Sequence, residues 1–468
     1  MKTKFDFIDR GRFIEILKDI VKYDTSKVRL LDTTSVTIAI KCNRLQSLIL
    51  CEERLSYSIQ SQRYCRFDDS FNESIILNGL VKILNEHDEK ELYSILYDIR
   101  SVYIEMTEIK EGHEKVTKKT KDDFKYGIPV EDARSILPMA FTANHVITMS
   151  GLEFLKMIAT MDKFHLLFED LKDDILSEIS RLTNFHIDYI LQLAFIISRY
   201  NDSAVSESEF KSLLINPEDW NTIEDKRVML LNEPEVDMMT KSGIAALTCT
   251  SNDYPTEILM KRINKYGDNV RDNLKGITER VTYDSHHTSI SEHASMTWLL
   301  YMTIGAYNQY VRHRHHKCFR CEFEPKIDFE MPETIKNSEF NDKVQRVIAK
   351  LERFIKYLSN NYTNKDIKPL IHQLIPMGHK IKIIANSNLI NEFHMGEKRN
   401  CNNAQDEIRH ISNKKLKILI ELLGADNKLV KMLAPGCIQG RCPEGKGACK
   451  DNSNVKNYFN IILKKENE

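Results

Sequence analysis

The chain has 468 residues, a hydrophobic content of 42% and a net charge of −1, from 67 Lys and Arg against 68 Asp and Glu. That length suits about two to four domains, and the balanced charge argues against a nucleic-acid-binding surface. No apolar stretch approaches the roughly 20 residues that span a bilayer, and residues 1–6 lack the charged-then-apolar pattern of a signal peptide. We therefore expect a cytoplasmic protein without a nucleic-acid or membrane partner.

The ten cysteines are predicted to be free thiols, because a chain of this size without an export signal rarely carries a disulfide framework. Four potential zinc ligands lie close together at His315, His316, Cys318 and Cys321. No second ligand pair stands at a matching distance, so we expect packing thiols and no metal. The same caution about short motifs favours a structural role for the cysteines at positions 437, 442 and 449.

The first half contains an apolar run over residues 35–50, which leads to Arg54 and Ser56. Further along, residues 131–138 precede a strand-like segment at 146–149, and a helix follows. A further amphipathic helix carries an apolar stripe that comprises Leu167, Leu171, Ile175, Ile179 and Leu182.

A linker is predicted at residues 216–221, where turn-forming residues collect. Residues 228–231 then predict a short buried strand. Residues 296–311 are nearly all apolar and lack proline, which favours a buried helix. Next, residues 373–376 precede a strand-like 382–385 and another helix. A last amphipathic helix carries Ala404, Ile408, Ile411, Leu416 and Leu419 and ends at Gly424.

The two halves thus repeat one order of elements, which predicts a tandem duplication of an α+β unit with strong divergence between the copies. We place the repeats at residues 1–222 and 223–468 and expect pseudo-twofold symmetry between them.

A sequence motif is divided between the halves. In the second half, residues 287–293 (HTSISEH) lead through the apolar run to residues 309–314 (QYVRHR); in the first half, residues 56–64 read SYSIQSQRY. Written end to end, these segments resemble the continuous RHRxxSxxxQSxRY region of flavin-dependent thymidylate synthases. The first half has Cys51, Glu52 and Glu53 where RHR belongs, and the second half has residues 317–325 where the serine–arginine loop belongs. Each half keeps what the other has lost.

Two further blocks carry the same resemblance. Residues 399–409 (RNCNNAQDEIR) are similar to the LRxxxxAQWEIR helix of that family, and residues 127–138 resemble its PxEDARxxLP segment. The tail at 435–449 is similar to the C-termini of some members. Several blocks in the right order make the resemblance far more specific than any single motif.

The resemblance implies a set of site residues. Flavin adenine dinucleotide (FAD) would be held by residues of the second half: His287, Ser289, Arg312, His313, Arg314 and Asn388. The nucleotide would be bound by Gln309 and by first-half residues: Gln60, Ser61, Gln62, Arg63 and Arg134. Arg399 would be catalytic by stabilising the ionised uracil N3, which raises the nucleophilicity of C5 without a protein nucleophile, with Ser61 as the second catalytic residue.

In the family each active site lies between subunits, so a duplicated chain would form two kinds of cross-site. One joins residues 312–314 to the loop at 56–64 and keeps both sets of ligands. The other presents Glu52, Glu53, Glu322 and Glu324 where phosphates would sit, and like charges repel them. We expect one working composite site, within a chain or between two, in a homodimer that imitates a four-subunit enzyme.

The leading hypothesis is reductive methylation of deoxyuridine monophosphate (dUMP) at C5, with methylenetetrahydrofolate and NADPH as cosubstrates. Four positions depart from the family pattern: Ile59, Met161, His372 and Asp406. These departures leave open a substrate related to dUMP, such as UMP, or a one-carbon donor other than methylenetetrahydrofolate. A third reading is a catalytically lapsed nucleotide-binding or regulatory protein, although drift would not be expected to spare each motif in only one copy.

Overall fold

A computed structural model provides the coordinates of the chain. It describes residues 3–10, 13–19, 25–52, 56–59, 74–108, 128–197, 204–205, 207–212, 214, 218–231, 238–313, 316–324, 326–364, 366–440 and 442.

The described residues form two sheets. Their strands are β1 (Lys4–Asp9), β2 (Val36–Asn43), β3 (Ser56–Ile59), β4 (Thr142–Met149), β5 (Ala204–Val205), β6 (Val228–Leu230), β7 (Ser295–Thr303), β8 (Lys317–Cys321) and β9 (Lys380–Asn388). The first sheet has the order β1-β2-β4-β3 and the second β5-β8-β9-β7-β6.

The α-helices account for most of the remaining described chain. They are α1 (Phe13–Asp19), α2 (Arg44–Glu52), α3 (Leu80–Ile83), α4 (Glu86–Thr107), α5 (Val130–Ala133), α6 (Gly151–Lys163), α7 (His165–Thr183), α8 (Ile187–Ile197), α9 (Glu207–Ser212), α10 (Asp219–Lys226), α11 (Met238–Thr248), α12 (Pro255–Tyr266), α13 (Val270–Glu279), α14 (Ile304–Tyr310), α15 (Glu333–Lys336), α16 (Asn341–Asn361), α17 (Lys368–Ile371), α18 (Leu389–Arg399), α19 (Asp406–Leu423) and α20 (Leu429–Met432).

The chain divides into two compact units that are not continuous in sequence. Unit 1 comprises residues 1–203, 303–308 and 323–380; unit 2 comprises residues 204–302, 309–322 and 381–468. Both units therefore contain chain from beyond residue 222. Mixed helix and sheet in both units agrees with the predicted α+β class.

Unit 1 is organised around its antiparallel sheet. Strand β2 pairs along its whole length with β4, from Val36 opposite Met149 to Asn43 opposite Thr142. Alternate residues of β2 are fully or almost fully buried, as expected when one sheet face packs on the core. Helices α4 and α16 pack side by side and are joined by ion pairs, including Lys350–Asp98 at 2.7 Å.

Strand β7, an interior strand of the unit 2 sheet, is covered on both faces. Leu299 and Tyr301 pack in a cluster with Trp220 of α10. Trp298 points to the opposite face, because successive side chains of a strand alternate. Its indole nitrogen donates to Ser387 Oγ of β9 at 3.0 Å.

Two similar segments of unit 1 are joined by reciprocal hydrogen bonds. Met139 N donates to Ile375 O at 2.9 Å, and Met377 N donates to Leu137 O at 3.0 Å. Each segment follows a short helix and a 3₁₀ turn: α5 before the first and α17 before the second. These are the segments that the sequence comparison of the two halves had matched.

The prediction of one buried helix over residues 296–311 is wrong. Residues Ser295–Thr303 form strand β7, and only Ile304–Tyr310 are helical. A strand covered on both faces loses the apolar–polar alternation that identifies a strand, so an apolar run alone does not separate it from a buried helix.

The predicted linker at 216–221 is also wrong where the structure describes it. Residues Asp219–Lys226 form helix α10, and Trp220 is buried beneath the Lys382 ammonium, which lies 4.1 Å from the ring centroid. The other predicted strands, at 146–149, 228–231 and 382–385, fall in β4, β6 and β9. The predicted helix at 167–182 is α7. No helix among the described residues is long and apolar enough to cross a membrane.

Candidate functional site

The second-half motif lies where helix α14 ends. Gln309, Tyr310 and Val311 are buried, whereas Arg312 and His313 are half-buried just past the last helical turn. The His313 N–H donates to the carbonyl of Tyr310 at 3.0 Å, which closes that turn. The burial of this turn fixes the backbone from which Arg312 and His313 extend. Arg314 lies outside the described residues.

Arg399, the last residue of α18, contacts the α14 motif directly. Its Nε atom donates to His313 Nε2 at 2.9 Å, and its Nη2 atom lies 3.4 Å from the carbonyl oxygen of Gln309. The Gln309 side-chain amide donates to Gln405 Oε1, just before α19. Residues far apart in sequence, Gln309, His313 and Arg399, thus meet in unit 2.

The His313 imidazole is neutral at physiological pH. Burial, and then the neighbouring Arg399 guanidinium, lower the pKa of His313 well below its ordinary value. A neutral imidazole has one acceptor nitrogen. Since Nε2 accepts from Arg399, the proton is assigned to Nδ1, which then serves as a donor.

The side chain of Arg312 has a buried hydrogen-bond donor, its Nε atom. Its Nε atom is inaccessible to solvent and has no hydrogen-bond partner within the described part of the chain. A buried donor on a permanent cation is costly to leave unpaired. This arrangement fits an anionic ligand such as a pyrophosphate, which forms charge-assisted bonds with guanidinium groups.

His287 and Ser289 lie on an exposed turn of unit 2. A 3₁₀ turn over Thr288–His293 follows a π-helical turn, and both side chains are exposed. Beneath them, Ser242 Oγ of α11 donates to Ile290 O at 2.7 Å and holds the turn in place. The two side chains are exposed, and no hydrogen bond among the described residues joins them to Arg312 or His313.

Asn388 lies at the N-terminal end of α18, beside that turn. Its side-chain oxygen accepts from Asn391 N at 3.0 Å and caps the helix, while Leu389 N donates to Ala294 O at 3.1 Å. Asn388 and Arg399 are separated by eleven residues of helix, or about 16 Å. The predicted flavin contact at Asn388 and the predicted uracil contact at Arg399 therefore lie at opposite ends of α18.

In the first half, Arg134 is buried in unit 1. Its Nε atom donates to Glu131 O at 3.1 Å, and a β-carbon added at Gly305 would lie 3.9 Å from its Nη2 atom. Strand β3 leads directly into the predicted substrate loop. The loop residues Gln60, Ser61, Gln62 and Arg63 lie outside the described residues.

Glu52 occupies the first-half counterpart of the arginine motif. Arg44 N donates to Phe141 O, and Ile304 N donates to His379 O, both at 2.9 Å, so the strand–helix junctions correspond. Eight residues beyond these junctions stand Glu52 and Arg312. By backbone position, Glu52 therefore corresponds to Arg312. The motif comparison had instead aligned Cys51 with Arg312, one residue earlier. The Glu52 carboxylate accepts from Tyr307 Oη at 3.3 Å.

The cysteines do not gather into a metal centre within the described ranges, where no three His, Cys, Asp or Glu side chains are placed to share an ion. Cys321 packs with Trp220 in an apolar cluster. Cys437 is half-buried and Cys442 is exposed, and His315 and Cys449 lie outside the described residues.

Sequence reasoning missed a buried ion pair next to the α14 motif, between Lys415 of α19 and Glu392 of α18. The signal was present: Lys415 lies four residues from Ile411 and from Leu419, on the apolar stripe of its helix.

Comparison with known proteins agrees with the motifs. A family model described as thymidylate synthase complementing protein matches residues 6–166 and 236–423, well over half of the chain. A flavin-dependent thymidylate synthase of Geobacter sulfurreducens is 26% identical to this chain over 185 residues, which cover 37% of this chain and 75% of that protein.

Proposed function

The chain belongs to the thymidylate synthase complementing protein family, and on that premise we propose that it is a flavin-dependent enzyme that methylates C5 of a uracil nucleotide. The proposed substrate is dUMP, the proposed cofactor is FAD, and the proposed cosubstrates are methylenetetrahydrofolate and NADPH. The observation that carries the proposal is the contact of Arg399 with His313 and the Gln309 backbone. This contact joins the two most specific motifs of the second half, residues 309–314 and residues 399–409.

Arg399 would stabilise the negative charge that develops at N3 of the uracil ring. A guanidinium remains charged at any working pH and presents donors in a fixed plane. Its bond to His313 holds that plane in position before substrate binds, which is the condition for electrostatic catalysis. Increased negative charge on the ring makes C5 more nucleophilic toward the one-carbon unit.

The second half would hold FAD. Arg312 supplies a buried donor that no other described residue pairs, and Asn388 supplies a side chain at the start of α18. His287, Ser289 and Arg314 complete the set by resemblance. When bound, the flavin supplies the hydride chemistry of a reductive methylation. The neutral His313 would orient the bound ring system through its Nδ1 donor.

The nucleotide would be bound by both halves. Gln309 comes from α14, and the phosphate-binding loop comprises Gln60, Ser61, Gln62 and Arg63, with Ser61 as the second catalytic residue. Arg134, buried beside the start of α14, is the fifth proposed first-half ligand. The dianionic phosphate favours arginine, whose donors match its oxygens in pairs.

We further propose that the chain is a tandem duplication of repeats 1–222 and 223–468 with pseudo-twofold symmetry, assembled as a homodimer. Two separately matched regions and the reciprocal bonds between residues 137–139 and 375–377 support it. Glu52 stands at the position that corresponds to Arg312, and its carboxylate would repel a phosphate there. This supports the proposal that only one of the two kinds of composite site works.

The visible absorbance of purified protein reconstituted with FAD tests this proposal. A bound-flavin spectrum that changes when dUMP is added is the expected result, because the nucleotide and the flavin share the site. A protein that takes up no flavin at saturating FAD would refute it.

A further inference from the structure

A polar network is buried in unit 2 behind the α14 motif. The Lys415 Nζ atom lies 2.7 Å from Glu392 Oε1 and 3.1 Å from Tyr310 Oη. The side chains of the ion pair are only 2% and 3% exposed. Glu392 also accepts from Ser387 Oγ, which in turn accepts from Trp298 Nε1. The network therefore connects α14, α18 and α19 with strands β7 and β9.

Packing alone does not explain this pair. Charges removed from water lose their hydration, and a buried ion pair is often no more stable than apolar side chains of the same volume. The network does have a specific location. Tyr310 stands two residues before Arg312 and three before His313, whereas Glu392 lies on the helix that carries Asn388 and Arg399.

We propose that Lys415, Glu392 and Tyr310 are positioning residues that fix the end of α14 against α18. The proposal rests on the proposed function, because it gives these residues the task of aligning Arg312 and His313 with Arg399 for flavin and nucleotide. Lys415 acts as the connector, since its single ammonium bridges a hydroxyl of α14 and a carboxylate of α18.

The charge on Lys415 also acts on the motif. Burial lowers the pKa of His313 most, and the cations Arg399 and Lys415 contribute in the same direction. Among the described residues, the titratable groups beside the pair include His316, with its Nε2 atom 3.9 Å from Glu392 Oε1, and Cys318. Burial lowers the pKa of Lys415, and the Glu392 carboxylate opposes that shift. The protonated ammonium beside this carboxylate helps keep His313 neutral, so that its Nε2 atom can accept from Arg399.

Tyr310→Phe tests the connection with little risk to the fold, because the ring stays and only the hydroxyl is lost. The matched control is Tyr307→Phe, one turn earlier on α14, which loses a hydroxyl bonded to Glu52 instead. We expect Tyr310→Phe to raise the flavin Kd about tenfold, as for one hydrogen bond to a charged group. In flavin-free protein it should also speed hydrogen exchange of the His313 and His316 amides several-fold, while Tyr307→Phe changes neither.

A second variant, Lys415→Met with Glu392→Leu, replaces the pair with apolar side chains of similar size. We expect it to fold with an unfolding midpoint near that of the wild type, yet to bind flavin at least tenfold more weakly. Wild-type amide exchange and flavin affinity in both variants would overturn the proposal. If the double variant fails to fold, the flavin affinity and the amide exchange of Tyr310→Phe alone decide the test. The two proposals can fail separately. If the wild-type protein binds no flavin, the proposed function is refuted. Faster amide exchange in Tyr310→Phe would still support the positioning role in that case.

Discussion

Arg312→Ala separates ligand binding from folding. The Arg312 Nε atom has no hydrogen-bond partner within the described residues, so its removal breaks no hydrogen bond between that atom and those residues. We expect the free energy of unfolding to change by less than about 1 kcal/mol. A hydrogen bond to a charged group contributes about 1.5–3 kcal/mol. Loss of one such bond to the flavin should raise its Kd about 10- to 150-fold.

The assay is a titration of flavin-free protein with FAD, followed by fluorescence, beside urea unfolding of the same samples. Arg312→Lys keeps the charge but not the planar set of donors, so its Kd should fall between those of the wild type and Arg312→Ala. Arg353→Ala, on the exposed face of α16, is the control for loss of one positive charge. A Kd for Arg312→Ala within twofold of the wild type, in folded protein, would refute the reasoning.

Four further predictions follow from the structure and the motifs. Burial, with a smaller effect from Lys380, lowers the pKa of His379 to about 4. The unfolded imidazole titrates near about 6.5, so the unfolded chain binds more protons between these values. As the pH falls from about 7 to about 4, the wild type should therefore lose about 3 kcal/mol more unfolding free energy than His379→Asn, measured in urea. Arg63→Ala should weaken dUMP binding about tenfold or more and spare flavin, whereas Glu53→Ala should change neither in calorimetric titrations; equal effects would contradict the division of ligands. Residues 223–468 expressed alone should be inactive and prone to aggregate, because unit 1 includes part of that half; turnover at the full-length rate would exclude a composite site. Light scattering should give the mass of a homodimer, and an active monomer would contradict the proposed assembly.

The sequence predicted the family, which is confirmed, and the strand–helix pair, β9 and α18, that carries Asn388 and Arg399. Motifs survive divergence because they combine several residues at fixed spacing, and burial alternates along β4 as expected for a strand with one exposed face. Strand β7 was misread because both of its faces are covered, so burial no longer alternates along it.

Sequence patterns could not predict the contacts between elements that lie far apart in the chain. Resemblance implied that His313 and Arg399 serve one site, but spacing could not indicate that they hydrogen-bond to each other. Lys415 was visible as a charge on an apolar stripe. Its partner Glu392 could not be identified, because the pairing of two helix faces depends on tertiary packing rather than on either helix alone.

The most direct test is product analysis by mass spectrometry after incubation of full-length protein with FAD, NADPH, methylenetetrahydrofolate and dUMP. We predict thymidylate that carries the methylene carbon, with its formation abolished or greatly reduced in both Arg399→Ala and Arg63→Ala. A protein that binds flavin and dUMP but forms no thymidylate would contradict the proposed reaction.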